Sequence, residues 1–300
     1  MARKLSSRGE EQASYFILAL PAVILYIAVV GFPTIFSIWL SLTNYKGGQL
    51  FGNPDVKIVG LESYITVFTS STFWMALKNN LWIVLISVFG QIPLGFILAY
   101  ILSRKLVKGV DFFQTVIYLP NIITAVVIGI LMRSFFLDNN SVWMQIVHVF
   151  DKTATVDFTS SPMTPVLIVM LWMYTGMYVI IFLAAIAGID DSVIEAAKID
   201  GAGEVKILTH IMIPAMTGII VTSAILAISG SLKSYDLLWV MTQGGPADRT
   251  SVLSIYMYKS AFQGSSNFPL ANAISTIMVL ISFILIALTK FAEKTFGSTD

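Results

Sequence analysis

The sequence predicts an all-α integral membrane protein with six transmembrane helices and with both termini in the cytoplasm. Hydrophobic residues make up 56% of the chain and charged residues 12%, and the mean hydropathy of +0.82 is too high for an ordinary soluble domain. Charges are also missing from six stretches, each longer than the roughly 18 residues that indicate a spanning helix. These stretches are 12–45, 79–103, 112–132, 158–189, 207–232 and 260–289.

Six helices follow from these stretches, in one membrane domain that spans residues 1–300. They are predicted at 15–42, 80–102, 112–136, 164–188, 214–241 and 269–290. The first is too long for the apolar part of a cleaved signal peptide, and Pro21 and Pro33 are expected to bend it. The absence of cysteine excludes disulfides and thiolate ligands, and two isolated histidines do not suggest a metal site.

Lysine and arginine residues set the orientation of these helices. With the N-terminus in the cytoplasm, the inside segments carry ten of these residues and the outside segments carry six. The basic segments 3–8 and 104–108 weigh most, because the bias acts on short loops. Both termini and the polar segment 190–214, between the fourth and fifth helices, are therefore predicted to be cytoplasmic.

The polar segment 190–214 is expected to form two short helices joined by a turn. Ser192 and Glu195 have the spacing of a capping box, in which a hydroxyl and a carboxylate bond the backbone at a helix start. Gly201 is expected to take the left-handed conformation that ends the first helix. The alanine pair 196–197 leaves a narrow face that another protein can approach closely. From its residues alone, the segment is either a capped loop or a docking helix for a soluble partner.

This segment resembles the EAA motif of ABC importer permeases, which reads Glu-Ala-Ala, three residues, Gly, nine residues and Ile-x-Leu-Pro. The matching residues are Glu195, Ala196, Ala197, Asp200, Gly201, Ala202, Ile211 and Pro214. Ile213 stands where leucine is usual, and Asp190 and Ser192 also depart from the common residues. The Asp-Gly-Ala triplet is the form of carbohydrate permeases of the maltose and glycerol-phosphate type. The resemblance extends over nearly the whole chain.

The resemblance implies a permease subunit that forms half of the pathway for a sugar or oligosaccharide in a bacterial or archaeal cytoplasmic membrane. Its implied partners are a second, distinct permease subunit, two ATPase subunits that bind the EAA helix, and an extracytoplasmic sugar-binding protein. ATP and Mg belong to the ATPases, because this chain has no Gly-Lys dipeptide and hence no phosphate-binding G-x-x-x-x-G-K-[ST] loop. We expect no catalytic residue, cofactor, metal or nucleic acid on this chain.

Polar and aromatic residues within the predicted helices are candidates for the substrate pathway, because such residues tend to face a bundle interior or a cavity. The candidates are Asn79, Gln91, Asn121, Trp172, Tyr174, Lys233, Tyr235, Asp236 and Trp239. Lys233 and Asp236 lie three apart on the predicted fifth helix, and they either pair with each other or line the pathway. Tryptophan and tyrosine also collect at membrane interfaces, so each of these can be an anchor instead.

A turn is expected after the fifth helix, because Gly244, Gly245 and Pro246 cannot continue it. The residues 247–250, among them Asp248, should then face outwards, and the resemblance implies that this loop contacts the binding protein. Two alternatives remain open. One is an ABC permease for a non-sugar solute such as glycerol phosphate or a peptide, and the other is an intramembrane enzyme.

Overall fold

A computed structural model describes residues 17–50, 52–138, 141–151, 158 and 161–296. Within these residues the regular secondary structure is helical, apart from an isolated antiparallel bridge between Thr43 and Ile58. The basic residues Arg3, Lys4 and Arg8, which contribute to the predicted orientation, lie outside this part.

The helices are numbered in chain order over the described residues. They are α1 (Ile17–Ser41), α2 (Glu62–Thr69), α3 (Ser71–Ser103), α4 (Val110–Ile122), α5 (Ala125–Phe136), α6 (Val142–Phe150), α7 (Met163–Ala187), α8 (Asp191–Ile199), α9 (Glu204–Ala215), α10 (Thr217–Leu232), α11 (Asp236–Thr242), α12 (Leu253–Phe262) and α13 (Phe268–Phe296).

Four of these helices, α1, α3, α7 and α13, are long and apolar enough to cross a membrane. Two bent pairs bring the number to six if each pair is one span. The bend is 96° between α4 and α5 and 69° between α9 and α10. By length and composition, the described helices therefore allow four to six spans, and the prediction of an all-helical membrane protein is confirmed.

The second and third predicted helices differ from the observed ones at their boundaries. α3 begins at Ser71 rather than at residue 80, so that Asn79 lies well inside it. The predicted helix 112–136 is interrupted at 123–124, between α4 and α5. Pro120 lies in the last turn of α4, where it removes a backbone donor and disfavours continuation of the helix.

The fifth predicted helix, 214–241, also differs. It is bent at Met216 and interrupted at 233–235, so that α11 is a separate short helix. Neither glycine nor proline marks the second interruption in the sequence. The backbone groups that it frees are bonded by side chains from elsewhere in the fold, as described below.

Three of the described helices contain a π-helical turn, and in each a proline follows two residues after the turn. The pairs are Ile27–Gly31 with Pro33, Ser87–Gln91 with Pro93, and Leu208–Met212 with Pro214. A proline ring collides with the carbonyl group four residues earlier, and that residue lies inside the π turn in all three cases. The wider turn accommodates the ring, so that the helix continues through the proline.

The chain divides into two compact units, and the single domain predicted for residues 1–300 stays a prediction. The first unit consists of Met1–Phe68 and Lys259–Thr276. Within it, the Ser37 hydroxyl donates to the Asn272 side-chain oxygen at 2.6 Å, which joins α1 to the start of α13.

The second unit consists of Thr69–Tyr258 and Ile277–Asp300. In this unit α7 packs against both α3 and α4. The approach of α4 is close, because a side chain at Gly176 would collide with the backbone carbonyl of Ile117. Glycine is therefore required there by the packing of the two helices.

Among the buried apolar clusters formed by the described residues of the second unit, two position the sites. One joins α3 and α7 to α8 and α9, with Leu102, Phe182, Ile194 and Ile207 among its buried residues. The other surrounds α5, α7 and α11. The first cluster places the polar segment 190–214 against two long helices, and it is the structural basis of the site described next.

Candidate functional site

The first helix of the polar segment, α8, is capped by Asp190. Its side-chain oxygen accepts a hydrogen bond from the backbone N–H of Ser192 at 2.9 Å. The same bond holds the pKa of the Asp190 carboxyl below its usual value, because it stabilises the ionised form. The predicted capping box on Ser192 and Glu195 is therefore wrong, because the helix begins one residue before Ser192.

The other end of α8 is closed by a Schellman motif around Gly201. Gly201 has φ +77°, which confirms the expected left-handed conformation. The N–H of Ala202 donates to the Ala197 oxygen at 2.9 Å, and the N–H of Gly201 donates to the Lys198 oxygen at 3.1 Å. A Cβ atom on Gly201 would meet nothing within 4 Å, so the backbone angle, and not space, requires glycine here.

α8 has a buried anchor and exposed apolar side chains. Ile194 is 5% exposed and belongs to the apolar cluster that contains Leu102 of α3. Val193 is half-exposed and Ile199 is 86% exposed, on a helix that is otherwise mostly polar.

The remaining residues of the EAA motif lie along this segment. Glu195 and Ala196 are exposed on α8, and Asp200 is its C-terminal cap. Ile211 lies in the π turn of α9 and packs against the apolar cluster, and Pro214 follows it. The structure assembles the motif as a helix, a turn and a second helix. Its contact with an ATPase stays a prediction.

A cavity of about 300 Å³ lies in the second unit and brings together five of the nine candidate pathway residues. These five are Gln91, Tyr174, Lys233, Tyr235 and Asp236. Ser87, Tyr178, Ser231 and Ser234 add further polar groups to the walls, beside apolar residues such as Met170 and Leu226. Hydroxyl, amide and aromatic groups around one space can bind a polar solute such as a sugar.

The π turn Ser87–Gln91 forms part of this cavity wall, since both of its end residues line the space. Gln91 is buried, and its amide donates to the backbone oxygen of Met170 at 3.0 Å. The Ser87 hydroxyl accepts from the Ser231 hydroxyl at 3.1 Å. Side-chain bonds therefore hold the wall in place across α3, α7 and α10.

Lys233 and Asp236 face the cavity from the break in the fifth predicted helix. Lys233 follows the last residue of α10 and Asp236 is the first residue of α11. Among the ion pairs of the described residues, none joins these two side chains. The predicted pairing is therefore wrong, because the assumption of one continuous helix is wrong. Their role as pathway residues stays a prediction.

Asn79 does not line the cavity. Its amide donates to the backbone oxygens of Arg249 and Ser251, each at 2.8 Å, and so holds the loop 243–252 against α3. Of the other candidates, the half-exposed Trp172 lines a small apolar pocket beside α5.

Two further candidates lie near the cavity or away from it. Trp239 stacks on the cavity residue Tyr235 with ring centroids 5.5 Å apart and 14° between the planes. Asn121 is half-buried near the end of α4. The three candidates Asn121, Trp172 and Trp239 also stay predictions.

Asn80 is a residue that the sequence analysis missed. It is fully buried, and its side-chain oxygen accepts from the N–H of Leu253 at 2.8 Å while its amide donates to the Ser231 oxygen at 3.0 Å. The first bond serves the start of α12 and the second the end of α10. The Ser254 hydroxyl donates to the oxygen of Ser234 in the same region. The sequence signal that could have identified Asn80 is its amide side chain within the charge-free stretch 79–103.

The loop 243–252 contains the predicted binding-protein contact at Gly244, Gly245, Pro246 and Asp248. The chain turns here as expected, with Pro246 exposed and with positive φ at Gly244 and Asp248. Thr250 is buried rather than outward-facing, because its hydroxyl donates to the Thr242 hydroxyl at 2.7 Å and to the Gly245 oxygen at 2.9 Å. Whether the loop contacts a binding protein stays a prediction.

Comparison with known proteins identifies the family of this chain. The family described as binding-protein-dependent transport system inner membrane component matches residues 91–297. A probable ABC transporter permease protein of Pyrococcus horikoshii is 34% identical over 288 residues, which cover 93% of this chain and 95% of that protein. The chain belongs to the family of ABC transporter permeases, as its EAA motif predicts, and it is a multi-pass membrane protein.

Relatives with assigned substrates cover similar lengths. The lactose transport system permease protein of Rhizobium radiobacter is 28% identical, over 91% of this chain and 92% of its own. The multiple sugar-binding transport system permease protein of Streptococcus mutans is 27% identical, over 91% and 92%. A chain in the crystal structure of a bacterial alginate ABC transporter, with alginate pentasaccharide-bound periplasmic protein, has a TM-score of 0.82 at 21% identity over 99% of both chains, which shows the same fold.

Proposed function

We propose that this permease subunit forms half of the path by which an ABC importer takes up a sugar or oligosaccharide. The observation that carries the proposal is the geometry of α8 and its turn. The helix is capped at both ends, anchored by Ile194 and exposed at Ile199. A rigid, exposed helix is suited to receive a mechanical input from a partner.

The proposed partner at α8 is a separate ATPase subunit, of which the complete importer contains two. ATP and Mg bind to those subunits, and this chain supplies no catalytic group and no cofactor. Because Ile194 packs in the same cluster as Leu102 and Phe182, a displacement of α8 would be carried to α3 and α7. Such a displacement supports a rigid-body alternation between inward-facing and outward-facing states.

The proposed substrate class is supported by the cavity and by the relatives. The cavity offers amide, hydroxyl and tyrosine side chains, which bond sugar hydroxyls and stack on sugar C–H faces. Lys233 and Asp236 contribute opposite charges, so the walls do not select for a strongly charged solute. The relatives in Rhizobium radiobacter and Streptococcus mutans are named for lactose and for multiple sugars.

The other proposed partners are a second permease subunit and an extracytoplasmic sugar-binding protein. The second subunit would complete the pathway, and the binding protein would contact the loop 243–252 on the outer side. This arrangement requires both termini and α8 to be cytoplasmic, which the distribution of lysine and arginine supports.

Cysteine labelling in intact cells tests the orientation. Lys105 and Pro246 are both exposed, and cysteines introduced at these positions should react with a membrane-impermeant reagent from opposite sides. The cysteine at 246 should label without permeabilisation, and the one at 105 only after it. Labelling of both from the same side would contradict the proposed topology.

A deletion strain tests the substrate class. Growth on single carbon sources should be lost for at least one sugar and restored by the intact gene. Uptake of that labelled sugar should depend on the ATPase subunits that co-purify with the chain. Growth defects confined to a peptide or phosphate source would favour the alternative of a non-sugar permease.

A further inference from the structure

Four side chains meet where the cytoplasmic end proposed for α3 approaches the turn between α8 and α9. The Tyr100 hydroxyl donates to Oε2 of Glu204 at 2.6 Å, and Nζ of Lys198 lies 3.3 Å from Oε1 of the same carboxylate. The guanidinium carbon of Arg104 lies 5.8 Å from the centre of the Tyr100 ring. Glu204 therefore uses its two oxygens to join three different helices.

This cluster of Tyr100, Arg104, Lys198 and Glu204 spans the turn at Gly201. Lys198 lies on α8 and Glu204 lies on α9, on opposite sides of Gly201. Tyr100 lies in the last turn of α3. The apolar cluster beneath them holds the same helices together, but apolar contact is non-directional and allows sliding. Hydrogen bonds and ion pairs depend on distance and angle, so the cluster fixes how α8 is oriented relative to α3.

The bonds among Tyr100, Lys198 and Glu204 contribute little to the free energy of folding. The Lys198 and Glu204 side chains are 49% and 56% exposed, and an exposed ion pair contributes little to folding because water competes for both charges. An interaction of this strength can still shift the balance between two conformations of an assembled complex. The cluster is thus suited to setting an angle rather than to holding the fold together.

We propose that Glu204 is a positioning residue that links α8 to the end of α3 through Lys198 and Tyr100. Through this link, a movement of α8 produced by the ATPase turns α3 with it. The inference rests on the proposed docking of the ATPase at α8 and adds the side chains that transmit the movement. Loss of the link lets α8 move without α3, so that ATP is hydrolysed with less transport.

The test uses the complete importer reconstituted in lipid vesicles, with labelled substrate and the binding protein present. The variants are Lys198→Glu, Glu204→Lys, the double variant Lys198→Glu with Glu204→Lys, and Tyr100→Phe. The measured quantity is substrate taken up per ATP hydrolysed. Each single variant should lower this ratio about two- to fivefold, the shift that an exposed pair of ordinary strength produces. ATP hydrolysis and co-purification of the ATPase should persist.

The double variant should restore the ratio. It re-forms the ion pair with the charges exchanged, and the ammonium group at position 204 can then donate to the Tyr100 hydroxyl oxygen. This recovery separates an interaction between the two side chains from damage done by either substitution alone.

Arg133 and Asp138 provide a matched control. Their ion pair is 3.6 Å long with side chains 50% and 48% exposed, and it joins Arg133 in the last turn of α5 to Asp138 just after that helix, outside the EAA segment. Reversing either charge there should leave the ratio unchanged.

Several outcomes would overturn the inference. They are unchanged ratios in the single variants, no recovery in the double variant, or an equal loss in the control variants. Loss of ATPase co-purification in the single variants would place these residues in the docking surface instead. Failure of the wild-type chain to co-purify with an ATPase would count against the proposed function itself, which keeps the two claims separable.

Discussion

The polar segment 190–214 and the loop 243–252 are both proposed contacts for other proteins, yet they are held in opposite ways. The loop is tied to α3 by the amide of Asn79, and its neighbour Asn80 accepts from the N–H of Leu253, the first residue after the loop; both asparagine side chains are buried. The segment takes its shape from the turn at Gly201 and from exposed bonds such as that of Asp190. Buried amide bonds are costly to break, whereas exposed ones are exchanged with water at little cost.

This difference indicates that substitutions in the two regions should change different properties, which are fold stability in one and transport activity in the other. Changes to the buried bonds of Asn79 and Asn80, in the loop and at its end, should lower the stability of the fold. Changes to the segment should lower transport while the spanning helices remain intact.

Asn80→Ala should cause the largest loss of stability. It leaves the N–H of Leu253 without its partner and removes one donor from the Ser231 oxygen, in a fully buried place. A buried polar group without a partner costs about 1–3 kcal/mol. The unfolding temperature of the purified complex, followed by intrinsic fluorescence, should fall clearly.

Asn44→Ala is the matched control for this change. Asn44 also makes two backbone hydrogen bonds, to Asp55 and Lys57, but it is exposed, so water can replace them. Its unfolding temperature should shift much less. Equal shifts in the two variants would show that burial of Asn80 does not set the stability of its region.

Gly201→Val should reduce transport most among changes to the segment. A β-branched residue at φ +77° is strained by roughly 1–2 kcal/mol, so the turn should change and α8 should be reoriented. The chain should insert normally, while ATPase co-purification and uptake of labelled sugar fall. Glycine at 203 has φ −72° and equally open space around its Cβ position, so Gly203→Val should preserve uptake. Normal uptake by the Gly201→Val protein would show that transport does not require this turn.

Asp190→Ala should have a smaller effect in the same direction, because it removes the N-terminal cap without altering the turn. Asp190→Asn keeps an acceptor for the Ser192 N–H and should retain most of the activity. Glu195→Ala should change the helix less than Asp190→Ala, since Glu195 is not part of the observed cap. Uptake assays on the three variants side by side give this order. A stronger effect of Glu195→Ala would indicate a direct contact with the ATPase.

The pH dependence of this cap follows from the lowered pKa of Asp190 in the folded chain. A lowered pKa means that the stabilisation is complete above the ordinary aspartate pKa and is lost as the pH falls through the lowered value. Near neutral pH the cap is therefore fully formed. Uptake by the wild type and by Asp190→Asn should change in parallel around neutrality, and a divergence there would contradict this assignment.

Local chemistry explains which features could be predicted from the sequence. Charge-free stretches indicated the apolar helices, and the glycine at 201 indicated its turn, because both signals lie within the element concerned. The cap was assigned incorrectly because Asp190 and Ser192 are both good N-caps, and the choice depends on where the helix begins.

Distant contacts explain what could not be predicted. The sequence Lys233-Ser234-Tyr235 carries no breaker, and the break there is supported by Asn80, whose amide bonds Ser231 from 151 positions away in the chain. The cavity likewise requires α3, α7 and α10 to meet before its lining residues can be recognised. Spacing along one helix could not reveal that a break separates Lys233, which follows α10, from Asp236, which begins α11.

The central claim, that α8 receives the ATPase, is tested most directly by photocrosslinking at Ile199 in the native membrane. This residue is 86% exposed, so a benzophenone amino acid should fit there without disturbing the fold. A covalent adduct with the ATPase subunit is expected from position 199. No such adduct is expected from Ile58, which is 72% exposed in a segment assigned to the outer side. If position 199 crosslinks only to lipid, or gives no protein adduct, α8 does not receive the ATPase.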